Sequence, residues 1–319
     1  MTSQQLSVAV VVPTYNRPEH VRNCLRHIAA QTIPPVQAVV VDSSPNDATY
    51  QVVSSEFPDV DYLRNPLGIG HTAASRDLGL RAVTADVVVF LDDDAYAEPD
   101  CVEQLLVPYS DPAVGGAGGR VRNGIPGEES SGVGQIGLFR PDGTLTGNFA
   151  ADPGQPVRVD HLLGACMSWR REILVANGGI YDGYPGSCLR EETDIAFSVA
   201  TAGWLIVYQP SAVVRHVSGP YNKGKRFDRR YTYYANRNHL VLLMRHLGPG
   251  DPRLPRYFGV AAREVGTRLT RAIRPPVRSD RQHRIGRRLA GAIAHSAAIA
   301  AGLAAGTVIG YGKRRSRIR

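Results

Sequence analysis

Four strand-length apolar runs separated by helical stretches fill the first 91 residues, and this alternation constrains the fold more than anything else in the chain. The runs lie at residues 6–12, 36–42, 59–64 and 87–91, with helical candidates at 18–31, 47–55 and 70–83. A run such as Val87–Leu91 lacks two-residue alternation, which marks a strand covered on both faces of a parallel sheet. Strands alternating with helices predict βαβ units, whose right-handed crossovers bring the strand ends to one rim. The expected fold class is therefore α/β, a Rossmann-like, mostly parallel sheet with flanking helices and a C-terminal helical extension. At 319 residues, with 43% hydrophobic and 21% charged residues, the chain has the size and balance for such a core.

The rim would carry three polar loops: PTYNRP after the first strand, Asp42–Asp47 after the second, and Asp92, Asp93 and Asp94 after the fourth. Adjacent carboxylates repel one another, and two readings of the triplet stand. It is either a solvated turn capping a helix that begins near Pro99, or a grip on a divalent cation where open α/β sheets bind ligands. Asp42 ends the second strand, where a carboxylate can accept a base N–H. Thr14, Tyr15, Asn16 and Arg17 lead into a helix whose N-terminus favours anions. Arg76, on the third helix, is placed to reach a diphosphate. Singly these are caps and a solvated arginine; their joint placement on one edge points to a ligand. No phosphate-cradling glycine loop follows the first strand, and GIGHTA at Gly68 completes neither the Rossmann nor the P-loop signature. Kinases, P-loop ATPases and nicotinamide-dependent dehydrogenases therefore rank low.

Beyond the fourth strand, residues 113–160 are rich in Gly and Pro and read as one or two irregular strands, VGGAGGRV among them, with a long surface insertion. A further strand running into a helix is expected over 161–177, an acidic helix start at REETD, and a last strand at AVVRHV. The boundaries expected are a catalytic domain at 1–220, a helical region at 221–274 and a basic, apolar C-terminal helix at 275–319, with Pro275 and Pro276 in the linker.

Five stretches carry a family likeness in this order: VAVVVPTYNRPEHVRNCLRHIAAQT, then AVVVD with the polar loop Ser43–Asp47 behind it, AASRDLGL, VVVFLDDDA, and GACMSWRREIL with GGIYDGY and EETDIAFSVATAGW. With them the chain resembles the family 2 glycosyltransferases of the GT-A fold, from residue 6 to residue 245. YYANRN, which includes Tyr233, is similar to the motif of non-processive, rhamnosyltransferase-like members, and the QxxRW motif of processive synthases is absent. The resemblance implies inverting sugar transfer from a nucleotide diphosphate sugar to a hydroxyl acceptor, with Mg2+ or Mn2+ as cofactor. It puts Pro13, Thr14, Tyr15, Asn16, Arg17, Asp42, Arg76, Asp92 and Asp93 on the donor. Asp94 is the leading metal ligand, with Asp92, and His216 of VVRHV stands where a late histidine completes the site. The base position of the family falls on Glu192, where glutamate replaces the usual aspartate, and Glu191 and Asp194 are the substitutes. Gly164, Trp169, Asp182 and Arg237 fall on the acceptor side. A base-reading Asp42 suits uracil or thymine, so a UDP- or dTDP-sugar is the favoured donor.

Two other readings compete with this one. A sugar-1-phosphate nucleotidyltransferase would want a glycine-rich phosphate loop with a following lysine, which VVPTYNRP lacks. A non-catalytic scaffold would have no use for intact carboxylates at 92–94 and 191–194. The net charge of +8 is concentrated from Arg215 onward, without the interleaved aromatics of a nucleic-acid binder, so an anionic membrane surface is the expected partner and nucleic acid is not. The uncharged run Leu289–Gly310, between RIGRR and KRRSRIR, reads as a helix on anionic lipid, a packed helix, or a membrane span. The cysteines Cys24, Cys101, Cys166 and Cys188 lack CxxC spacing, and the N-terminal run breaks at Pro13 like a first strand. A cytoplasmic protein, peripheral on the inner membrane face, is the expectation.

Overall fold

In a computed structural model, residues 6–186, 188–217, 228–248, 250–273 and 281–317 are described. Two compact units divide the chain: Met1–Phe139 with Leu145–Tyr221, and Arg140–Thr144 with Asn222–Arg319. The linker prolines Pro275 and Pro276 lie outside the described residues.

The first unit is built on a nine-stranded sheet. Its leading strands are β1 (Val8–Thr14), β2 (Gln37–Asp42), β3 (Asp61–Arg64) and β4 (Val87–Leu91). They pair in parallel in the order β3-β2-β1-β4. Every residue of β1 and β4 is buried, as their unbroken apolar runs require of strands covered on both faces. The covering helices are α1 (Pro18–Ala29), α2 (Ala48–Glu56) and α3 (Thr72–Ala82). Pro18 opens α1, where a missing N–H costs nothing.

Past β4 the chain passes through β5 (Ala95–Ala97) and α4 (Cys101–Leu106) into β6 (Val114–Arg122). Then come β7 (Val157–Arg158), β8 (Cys166–Arg170), α5 (Arg171–Ala176), α6 (Glu191–Thr201) and β9 (Leu205–His216). The sheet continues from β4 as β8-β6-β9-β5, with β7 on β9. Here it is mixed, since β8 runs antiparallel to both β4 and β6 while β6 and β9 are parallel.

VGGAGGRV, expected as an irregular strand, lies with Arg122 in a nine-residue strand between β8 and β9. Its glycines are set by neighbours: a Cβ on Gly116 would lie 2.3 Å from the Trp169 ring, and one on Gly118 2.5 Å from Leu162. Large side chains leaning across the strand supply the apolar bulk that its own sequence lacks. The strand is irregular as expected: its pairing with β9 shifts register between Val114 and Gly116 and between Gly119 and Arg120.

The second unit contains α7 (Arg229–His246), α8 (Arg253–Ile273) and α9 (Arg281–Arg317). Asp228 caps α7 by accepting from the Tyr231 N–H at 2.8 Å. The turn Arg140–Thr144 belongs to this unit: the Gly143 carbonyl lies 2.7 Å from His239 Nε2, and Arg256 donates to the Pro141 carbonyl.

Candidate active site

The aspartate triplet follows β4 and does not cap a helix; the N-cap of α4 is Asp100. The chain instead turns directly into β5, whose antiparallel pairing sets Ala95 opposite His216 at the end of β9. That register delivers an imidazole to the triplet from more than a hundred residues away. One ligand atom each from Asp92, Asp94 and His216 lie within 4.8 Å of one another. His216 Nε2 is 3.2 Å from Asp94 Oδ1. Two carboxylates and an imidazole are a donor set that can hold a divalent cation.

The three aspartates coexist because each has a donor, with Arg17 shared between Asp93 and Asp94. Asp92 Oδ1 accepts from Arg76 at 2.8 Å. Asp93 Oδ2 accepts from the Thr14 hydroxyl at 2.6 Å, and Asp93 Oδ1 lies 3.2 Å from Arg17. Asp94 Oδ2 accepts from Arg17 at 2.6 Å. Burial pushes Asp93 up to about 7, against the opposing charge of Arg17 and the Thr14 hydrogen bond. Burial also works against ionisation of Asp94, but the hydrogen bond and charge of His216, with Arg17, outweigh it and hold that carboxyl well below the usual range.

Arg76 joins this cluster to the acids of α6. Only 2% exposed, it donates to Asp92, to the Gly164 carbonyl at 3.0 Å, and to Glu191 Oε1, itself 3% exposed. Gly164 lets the guanidinium approach closely, since a Cβ there would sit 3.0 Å from it. The N-cap of α6, Arg190, has φ of 84°, a left-handed backbone that a non-glycine residue adopts at a cost of about 1–3 kcal/mol. Glu191 is thus committed to Arg76. Asp194 is buried and accepts from the Tyr184 hydroxyl at 2.9 Å. Glu192 keeps part of its surface open, while desolvation by the protein crowding around it raises its pKa against the pull of Arg190 and Arg76. Of the three acids, it is the one suited to take a proton.

The structure also separates residues that the sequence grouped. Asp42 is fully buried, with Oδ1 accepting from the Ser44 N–H and hydroxyl, and Oδ2 from the Tyr62 hydroxyl at 2.7 Å and Arg64 at 3.5 Å. Pro13 is buried in β1, while Tyr15 and Asn16 keep exposed surface on the loop before α1. Trp169, expected on the acceptor side, is fully buried against Gly116 and offers no surface; it is a core residue, since β8 lies inside the sheet. Arg237 belongs to the second unit, where it is buried on α7 and donates to Asn238. Asp182 pairs with His71 at 2.8 Å, tying the loop before α6 to the one before α3. Sequence reasoning missed His71 and the lid of Tyr62 and Arg64 over Asp42. Tyr62 and Arg64 were within reach, because they stand two apart on a strand paired to β2, with Arg64 opposite Asp42. The His71 pairing spans 111 residues and leaves no local signal.

The sequence model of the family described as glycosyl transferase family 2 matches residues 9–174, just over half of the chain. The chain belongs to this family. Among curated glycosyltransferases, it is 24% identical over 230 residues to the O-antigen chain rhamnosyltransferase RfbN of Salmonella typhimurium, covering 71% of each chain. It is 28% identical over 231 residues to the N-acetylglucosaminyl-diphospho-decaprenol L-rhamnosyltransferase of Mycobacterium tuberculosis, covering 65% of this chain and 75% of that one. A solved mannosyltransferase from Pyrobaculum calidifontis, in complex with GDP-Man and Mn2+, superposes with a TM-score of 0.58 at 18% identity, covering 94% of this chain and 88% of the other. A structure of GalNAc-T7 with UDP, GalNAc and Mn2+ gives 0.56 at 16% identity, covering 80% and 54%. These likenesses establish the GT-A architecture. The protein is a rhamnosyltransferase-like glycosyltransferase acting on nucleotide sugars, and the nucleotidyltransferase and scaffold readings fall.

Proposed function

We propose that this glycosyltransferase is metal-dependent, inverting and non-processive, and that it moves a deoxyhexose of the rhamnose type from a UDP- or dTDP-sugar to the hydroxyl of a glycan, a lipid-linked glycan or a small molecule. The observation that carries the reading is the joint placement of Asp92, Asp94 and His216 with Arg76, which links Asp92 to the acidic start of α6. The sugar class rests on two relatives named as rhamnosyltransferases, one of them by a decaprenol-linked acceptor.

In this reading Glu192 accepts the acceptor hydroxyl's proton as its oxygen bonds to the anomeric carbon. The bond from that carbon to the nucleotide diphosphate breaks on the opposite face, which inverts the configuration. Asp92, Asp94 and His216 would hold the cation, which supplies positive charge to the leaving diphosphate. Arg76 fixes Asp92 and Glu191 in place, leaving Glu192 as the acid of α6 that is free to change its protonation. Asp42 has Ser44, Tyr62 and Arg64 on its oxygens, about the full acceptor capacity of a carboxylate. A pyrimidine N–H would therefore reach Asp42 by displacing Tyr62 or Arg64, or be read by those side chains instead.

The test is a panel of nucleotide sugars, assayed for transfer and donor hydrolysis with Mn2+, with Mg2+ and in EDTA. Activity should need the cation, and Asp94→Ala should abolish both transfer and metal-dependent nucleotide binding in a folded protein. Full activity in EDTA would overturn metal dependence. Glu192→Gln should bind donor like the wild type while losing roughly 10²–10⁴-fold in kcat. Wild-type kcat in that variant, with loss in Glu191→Gln, would move the base to the neighbour.

A further inference from the structure

The C-terminal helix is inside out for a helix packed on a soluble domain. Arg288–Tyr311 is a 24-residue stretch long and apolar enough to cross a membrane by composition, about 36 Å at 1.5 Å per residue. Ile299 is buried, and three glycines four residues apart lie against α7, within the second unit. A Cβ on Gly302 would come within 2.5 Å of the Tyr233 carbonyl oxygen, one on Gly306 within 2.8 Å of the Arg237 carbonyl oxygen, and one on Gly310 within 2.8 Å of Met244. Three larger apolar side chains point the other way, while Leu289, Leu303 and Ile309 are half-buried. Ile293, Val308 and Tyr311 are 54%, 73% and 61% exposed, and Ala297, Ala301 and Ala304 complete the same exposed stripe. The polar groups along it are turned inward to the helix: Thr307 donates to the Leu303 carbonyl and His295 bonds with the Gly291 carbonyl.

Small residues between helices with larger apolar ones outward is the arrangement used where the surroundings are lipid. In water the exposed stripe has no compensation. Charge names the partner. From Arg281 to Arg319 the sequence carries nine basic residues and no acidic one, four before the apolar run and five after it. A second copy laid on the stripe, in either direction, would bring basic end against basic end. A span would carry one of those clusters across the bilayer, whereas basic flanks collect on one side. The helix neighbour points the same way: α7 buries Asn236, Arg237, Asn238 and His239, so it is a protein-interior helix and α9 lies along its surface. We infer that the outward face of α9 is a docking surface for an anionic lipid bilayer, on which the helix lies in plane with both basic flanks among the headgroups. This inference does not depend on the donor, the acceptor or the metal.

The test adds the purified full-length protein to preformed vesicles of phosphatidylcholine, with or without about 30% phosphatidylglycerol, a content that gives a negative surface. The protein should float with the anionic vesicles at low salt, much less with the neutral ones, and detach as salt rises. Ile293→Ser/Val308→Ser should weaken vesicle binding roughly tenfold or more per side chain. Ile293→Glu/Val308→Glu should abolish it, while both variants keep the wild-type Tm and donor hydrolysis. A tag after Arg319 should stay open to protease added outside. No flotation at low salt, or flotation untouched by either pair of substitutions, overturns the inference. So does protection of the tag, which means a span, or a lipid-free dimer that the glutamates dissolve, which means a second copy covers the face.

Discussion

Arg76 is the side chain whose loss should be felt most, and the size of the effect follows from its surroundings. It and Glu191 are 2% and 3% exposed, and the same guanidinium also serves Asp92 and the Gly164 carbonyl. Arg76→Met keeps most of the volume and removes the charge. Glu191 is then a buried carboxylate without its cation, a loss of about 3–5 kcal/mol for a broken buried pair. In a unit of this size that corresponds to a drop in Tm of roughly 6–20 °C. Adding Glu191→Gln removes the stranded charge and should restore at least about 1–2 kcal/mol, a coupling usual for groups in one network. The assay is urea unfolding followed by tryptophan fluorescence. Both tryptophans, Trp169 and Trp204, lie in the first unit, so the signal reports that unit alone. A cost under about 1 kcal/mol for Arg76→Met, or no recovery in the double variant, would refute the account of Arg76 as the tie between the triplet and α6.

Two other outcomes follow from the geometry. Because burial raises Glu192, and a general base must be deprotonated, kcat should fall as pH drops through a value above the ordinary glutamate range of about 4.3. By linkage, its charge is a cost to the fold above that raised pKa and none below the unfolded value, so Glu192→Gln should raise Tm at high pH and leave it unchanged in acid; a pH–rate profile with its acid limb at or below about 4.3 would speak against this. Gly116→Ala would place a methyl 2.3 Å from the Trp169 ring, in a strand with no slack, and should cost about 1–3 kcal/mol with a changed fluorescence spectrum; unaltered stability would mean that β8 and β6 are less tightly packed.

The first four strands and three helices were legible because their cause is local. An unbroken run of buried β-branched residues needs a sheet on both sides, and the loops at its carboxyl ends must share a rim. Asp94, Asp92 and His216 were named as a set only through the family resemblance, and the β5–β9 register brings them together. Other features had no local cause. The irregular strand at β6 was legible, but not that it is an inner strand, because the bulk over its glycines belongs to Trp169 and Leu162, dozens of residues away. Trp169 looked like a site residue by its motif, and only the sheet order showed that β8 is an inner strand. The family resemblance put the base position on Glu192, with Glu191 and Asp194 as substitutes, but gave no physical ground for choosing among three neighbouring acids. Tertiary contacts with Arg76 and Tyr184 committed two of them and left the third partly open.

The chain alone determined that α9 would be a helix, uncharged in its middle and basic at both ends, since composition and periodicity depend on neighbours in sequence. It could not determine which face turns outward. That choice rests on packing against α7, which leaves no room for a Cβ at Gly302, Gly306 and Gly310, while Ile293, Val308 and Tyr311 stay exposed.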